Sequence, residues 1–222
     1  VTGFAVAFAQ HLGMCEDDIN LHDHWACESV GAIQDRTREH LGTTDKVIMA
    51  NRRLLLDRFH QALAASARSN NFGALMFLDM DRFKTLNDTL GHDYGDLLLI
   101  EVSRRIQSCV RETDTVARLG GDEFVIVLEG MEGDAAEVSQ RTALIAEKIR
   151  AALAEPYLLK EHECHSSPSI GVCLYRGNAE SVDDLLKHAD MAMYQAKDTG
   201  RNNVRFFDPL MQQAVENRAA LE

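Results

Sequence analysis

The chain has 222 residues, 45% of them hydrophobic and 26% charged, with a formal net charge of −12. That is apolar material enough for one substantial core, or a main domain with a small appendage, and too much for a disordered chain. The negative balance argues against a nucleic-acid-binding surface, which needs Lys and Arg to neutralise phosphates, yet a few local cations suffice for a small phosphorylated ligand.

No apolar run approaches the roughly 20 residues that span a bilayer. The apolar opening Val1–Ala9 lacks a basic leader region and a cleavage site, so it is not read as a signal peptide. The expected location is the cytoplasm, either free or as the cytoplasmic part of a membrane-anchored protein, with no direct membrane contact. Five scattered cysteines, Cys15, Cys27, Cys109, Cys164 and Cys173, without a CxxC pair, fit reduced thiols rather than a disulfide framework.

In chain order, residues 1–44 form a segment of unidentified character with helical pieces at 3–13 and 26–41. His22-Asp23-His24 lies within it and fits no standard zinc spacing. Leu54, Leu55, Phe59 and Leu63 recur at helical spacing and predict an amphipathic helix over 51–68. Ala74–Leu78 is an apolar run of strand length. A short helix over Phe83–Leu90 breaks at Gly91–Asp96, and a second helix runs to about Val110 with Leu99, Val102 and Ile106 on one face. Thr115–Leu119 and Phe124–Leu128 read as strands joined across Gly120-Gly121, a hairpin signal because glycine tolerates positive φ.

A helix with Val138, Ile145, Ile149 and Leu153 as its buried stripe follows, stopped by Pro156. Two strands are expected near 157–165 and 169–175, with Pro168 marking an edge or a bulge. Ser181 with Asp184 opens a helix to about Lys197 that ends at Gly200. Val204–Phe207 is the last strand, and 209–222 begins an outgoing helix. This order predicts an α+β fold, helices packed on a largely antiparallel sheet.

Several polar residues stand where chemistry is expected. Asp79 and Asp81 follow a buried strand, and period-2 alternation puts both on one face, with Met80 on the other. Asp122 and Glu123 follow the glycine hairpin. If that hairpin neighbours the first strand, Asp79 and Asp122 converge, which like-charge repulsion disfavours unless a cation sits between them. Hard oxygen ligands of this kind suit Mg²⁺ or Mn²⁺. Lys84, Lys197 and Arg201 can cradle a triphosphate, and Asn87 and Asp96, with His92 between them, can satisfy a purine edge. Each taken alone is as readily a surface charge.

The run Gly120-Gly121-Asp122-Glu123-Phe124 resembles the signature of the GGDEF family of diguanylate cyclase domains. Leu78–Asp88 with Gly91–Asp96 resembles that family's upstream block, and Ala189–Lys197 with Gly200-Arg201-Asn202 its downstream block. The resemblance covers about residues 45–208. It implies a five-stranded, mostly antiparallel sheet flanked by helices, like a nucleotidyl cyclase or polymerase palm, with an N-terminal helical extension. The implied activity is condensation of two GTP into cyclic di-GMP, with Mg²⁺ or Mn²⁺ and a homodimer.

Carried over residue by residue, Asp79, the Met80 carbonyl and Asp122 hold metal, and Asp122 and Glu123 carry catalysis. Lys84, Asn87, His92, Asp96, Gly120, Gly121, Lys197 and Arg201 bind substrate. Arg111 and Asp114 match the family's RxxD product-inhibition site, although an Arg and an Asp three apart are also a common surface pair. The segment Thr44–Ala50 retains little of the run the family has there. The tail from Phe206-Phe207-Asp208-Pro209 resembles a junction into an EAL phosphodiesterase domain, so a catalytically weak GTP- or cyclic di-GMP-binding regulatory module is the alternative. A different nucleotidyl-transfer enzyme on a palm-like scaffold would share the metal acids but not need Asn87, Asp96 or the glycine hairpin.

Overall fold

A strand with apolar side chains on both faces must lie between two layers, and Phe72–Met80 (β1) has them. In the computed structural model, which describes residues 43–212 and 215, it is the central strand of a five-stranded sheet ordered β2-β3-β1-β6-β7. The other strands of that sheet are β2 (Thr115–Gly120), β3 (Glu123–Met131), β6 (Pro168–Arg176) and β7 (Asn203–Phe206). All neighbours are antiparallel except β6 and β7.

Alternation along β1 divides its side chains between two cores. Met76, Leu78 and Met80 face α3 (His92–Cys109) and α4 (Ala135–Ala154) through Leu98, Val102, Ile106, Val138 and Ile149. Leu75 and Phe77 face α1 (Thr43–Ser69) and α5 (Val182–Asp198) through Phe59, Leu185, Ala189 and Met193. The short helix α2 (Phe83–Leu90) packs on α3 beyond the end of β1.

Several expectations needed adjustment. The helix expected over 51–68 spans Thr43–Ser69, and its buried stripe is Leu55, Phe59, Ala62 and Leu63, while Leu54 is 59% exposed. Residues 157–165 are not one strand but a hairpin, β4 (Tyr157–Leu159) and β5 (His162–Cys164), in its own two-stranded sheet, turned at Lys160 with φ 55°. Pro168 marks neither an edge nor a bulge. It is the first residue of the interior strand β6, opposite Met80, one position before β7 pairing begins at Ser169, where no donor is required. Ile145 is only half-buried.

The helix termini follow their sequence signals. Asp134 and Glu137 form a reciprocal capping box on α4. At the end of α5, Arg201 N donates to Ala196 O and Gly200 N to Lys197 O, a Schellman arrangement around Gly200 at φ 120°. The expected helices at 3–13 and 26–41 and the His22–His24 cluster lie outside the described residues. The chain divides into two compact units, 1–46 and 47–222, and nearly all described residues belong to the second. Residues 209–212 are helical. Among the described residues, no helix is long and apolar enough to cross a membrane, and Cys109, Cys164 and Cys173 are free thiols.

The approach of α5 to the sheet depends on Gly171 of β6. A Cβ there would collide with the backbone of Ala189 and Met193, and backbone has no rotamer with which to yield. Gly171→Ala should cost about 3 kcal/mol in urea unfolding; a loss below about 0.5 kcal/mol would mean that α5 is free to lift off the sheet.

Candidate active site

The C-terminal end of β1 and the β2–β3 hairpin meet as the sequence leads one to expect. Asp79 lies directly opposite Glu123 in the antiparallel register, so Asp122 is one residue from Asp79's cross-strand neighbour. The hairpin loop is Gly121-Asp122. Only Gly121 has positive φ, 51°, while Gly120 is still paired as the last residue of β2.

From the helix side, Lys197 reaches down to this corner, its Nζ 2.9 Å from Asp79 Oδ1. Asp190 stands two turns earlier on the same face of α5 and adds its charge to the group. Asp79, Asp122, Glu123 and Asp190 thus share one poorly solvated corner.

Burial is the first cause of every shift there. It raises the Asp79 carboxyl above its usual range even though the Lys197 ammonium pulls the other way. Burial, then the neighbouring Asp79, pushes Asp122 to about 6. Burial, then Asp79, Asp190 and Asp122, pushes Glu123 to about 8. Asp190 rises to about 6, by burial against the pull of Lys197.

Asp81, expected beside Asp79 as a second free carboxylate, is spent on structure. Its oxygens accept from Ser167 Oγ at 2.6 Å, Ser169 Oγ at 2.8 Å and the Asn202 backbone N–H at 3.0 Å. It thereby ties the start of β6 and the loop carrying Arg201 to the end of β1. Arg201 itself is exposed, with φ 63°, close enough to lower the Asp79 pKa.

On the opposite side of the strand end, Lys84 is exposed on α2 and His92 is exposed at the start of α3. Asn87 is half-buried, and its Oδ1 is a buried oxygen without a hydrogen-bond partner. Asp96 lines a cleft of about 400 Å³ with Leu99, Ile100, Ser103, Arg118 and Phe124. Asp114 is held by backbone, accepting from Arg111 N at 2.8 Å and Glu129 N at 3.4 Å, while Arg111 is exposed.

Two residues belong to this geometry that the sequence reasoning assigned no role. Asp190 carried a signal: with Met193 and Lys197 it follows i, i+3, i+7 spacing, which puts an acid on a buried helical stripe. Arg118 donates from Nε to Gly121 O at 2.8 Å and walls the cleft; a lone Arg in a strand carried no comparable signal.

The donor set fits a hard divalent cation: carboxylates in excess over ammonium, beside a strand-end carbonyl. Among the described residues, no group of three or more His, Cys, Asp or Glu side chains forms a cage.

The family model described as diguanylate cyclase, GGDEF domain, matches residues 46–203. The chain is 44% identical over 173 residues to the bifunctional diguanylate cyclase/cyclic di-GMP phosphodiesterase MucR of Pseudomonas aeruginosa, covering 78% of this chain and 24% of that protein. It is 41% identical over 134 residues to the cyclic di-GMP phosphodiesterase NbdA of the same organism, covering 60% of this chain and 16% of that one. The chain therefore spans about a quarter or less of these relatives. The solved GGDEF domain of TpbB from Pseudomonas aeruginosa superposes with a TM-score of 0.64 at 36% identity, over 77% of this chain and 94% of that one. With the family model matched over residues 46–203 and MucR 44% identical over 78% of this chain, the chain belongs to the GGDEF family of diguanylate cyclase domains.

Proposed function

We propose that this domain condenses two GTP molecules into cyclic di-GMP and releases two pyrophosphates. The observation that carries it is the pairing of Asp79 with the signature hairpin at one corner, where burial and then the Asp79 charge push the carboxyls of Asp122 and Glu123 up. In each half-reaction the 3′-hydroxyl oxygen of one GTP attacks the α-phosphorus of the other. The new P–O bond forms as the bond to the β-phosphate bridging oxygen breaks.

Asp79, Asp122 and the Met80 carbonyl would hold Mg²⁺ or Mn²⁺, which neutralises phosphate charge and makes the attacking hydroxyl more acidic. Glu123 is the proton acceptor. Without a cation, burial and its acidic neighbours push its carboxyl to about 8, so it has to be ionised before it can accept a proton near neutral pH. Lys84, Lys197 and Arg201 would bind the β- and γ-phosphates, Lys197 from a position where its ammonium already contacts Asp79. Gly120 and Gly121 let the backbone approach the nucleotide without a Cβ in the way. Asn87 and Asp96, with His92 alongside, read the guanine, and Leu99, Ile100 and Phe124 give its ring an apolar bed.

One domain holds one GTP, so two copies must meet face to face, and positioning supplies much of the rate. Cyclic di-GMP is also a ligand at Arg111 and Asp114. The Asp114 carboxylate is fixed by two backbone N–H groups while the Arg111 side chain is exposed, an arrangement open to a guanine edge and a phosphate.

A second reading is favoured by NbdA, a relative whose name gives phosphodiesterase activity alone: a GTP- or cyclic di-GMP-binding module that regulates a C-terminal EAL domain. Incubation of the protein with GTP and Mg²⁺ separates the two. Cyclic di-GMP and pyrophosphate are expected, whereas GTP binding with no product would leave the regulatory module.

Asp122→Ala should lower turnover on the order of 10³-fold or more. Retained turnover would remove Asp122 from the metal site. Arg111→Ala should raise the product inhibition constant about tenfold, since it removes charge-assisted bonds; an unchanged constant in an initial-rate series with added cyclic di-GMP would discard the inhibitory site.

A further inference from the structure

Gly95 sits in the first turns of α3, one residue before Asp96, and is buried. Its backbone does not ask for glycine: it is helical and is absent from the positions of positive φ. A glycine inside a helix is unfavourable relative to alanine, so something other than backbone conformation keeps the side chain out.

That something is Asn87. A Cβ built on Gly95 would fall on Asn87 Oδ1, 2.9 Å from Asn87 Cγ and 3.1 Å from Phe83 Cζ. Asn87 cannot withdraw as a whole, because its main chain is fixed where its carbonyl accepts from Gly91 N at 2.8 Å and closes α2. Only its side chain is free to move.

The side chain is also not held by hydrogen bonding. Asn87 Oδ1 is buried without a protein hydrogen-bond partner, which is unfavourable. Two unfavourable choices, a helical glycine and an unsatisfied amide oxygen, therefore coincide at one contact. Shape fixes the amide here: the bare Cα of Gly95 is a slot, and the carboxamide lies in it beside Asp96.

We infer that Gly95 is a positioning residue for base specificity, its missing side chain holding the Asn87 carboxamide in register with Asp96 for the guanine of GTP. This rests on the assignment of Asn87 and Asp96 to the base. An added methyl displaces the amide by more than a bond length while leaving the metal corner, on the far side of β1's end, as it was. The effect falls on recognition of the base and not on phosphoryl transfer.

The test is a double-mutant cycle on the full chain, read both by calorimetric binding of GTP and ATP and by turnover. Gly95→Ala should raise the GTP dissociation constant and KM about tenfold and cut the preference for GTP over ATP by a similar factor, with kcat within about threefold. In an Asn87→Ala background the same change should add nothing, because the slot is then empty.

Equal losses in both backgrounds would make Gly95 a packing residue and overturn the inference, as would unchanged affinity in Gly95→Ala. If Gly95→Ala does not fold, folding should return in Asn87→Ala/Gly95→Ala, and failure to return overturns it too. A wild-type chain with no preference for GTP over ATP sinks the base-reading assignment itself. Selective binding with additive losses sinks only the part given to Gly95.

Discussion

Bringing carboxylates together out of water is among the least favourable things a fold can do, and this fold gathers four at one corner, Asp79 buried and the other three half-buried. Asp79, Asp122, Glu123 and Asp190 are brought within electrostatic reach of one another, and the contact that makes this tolerable is the Lys197 ammonium 2.9 Å from Asp79. One ammonium does not balance four acids, and the remainder appears as raised pKa values. The corner therefore carries more negative charge than the one ammonium offsets, which is the physical ground on which a divalent cation carrying phosphate is proposed there.

The rest of the structure serves that corner. Antiparallel pairing of β1 with β3 sets Asp79 against Glu123, and the two-residue loop at Gly121 turns Asp122 back toward them. Gly171 lets α5 lie close on the sheet, which brings Asp190 and Lys197 over the strand end. Asp81 ties the loop after α5 to the start of β6, so Arg201 is presented from a loop with a fixed anchor. On the other side of the strand end, α2 and α3 hold the residues assigned to the base, with shape rather than hydrogen bonding fixing Asn87. The residues assigned to the base thus lie on α2 and α3, while those assigned to phosphate are divided between the end of α5 with its loop and Lys84 of α2.

Much of this was legible in the sequence because it rests on local rules. An apolar run ending in Asp-Met-Asp marks a strand delivering acids to an edge, and Gly-Gly-Asp-Glu between two apolar runs marks a hairpin. Lys197 and Arg201 around Gly200 mark a helix end. What was not legible depends on partners distant in sequence. Asp81 looked like a second free carboxylate because Ser167, Ser169 and Asn202, which consume it, are more than 80 residues away. Pro168 looked like an edge marker because nothing local says that β7 pairing starts one residue later. Gly95 looked like part of a loop because its reason lies in the side chain of Asn87 on another helix.

The raised acids also set a sign for pH. Glu123 at about 8 and Asp122 at about 6 hold more protons in the folded chain than in the unfolded one. Without metal, stability should fall as pH rises from the ordinary carboxylate range, about 4.5, toward 8. A cation at the corner favours the ionised carboxylates and so must expel those protons. Calorimetric titration of Mg²⁺ with a slowly hydrolysed GTP analogue, at pH 7 in buffers of different ionisation enthalpy, measures that release directly. The expected result is net proton release, reduced in Glu123→Gln; metal binding with no proton release in any buffer would contradict a shared buried acidic corner.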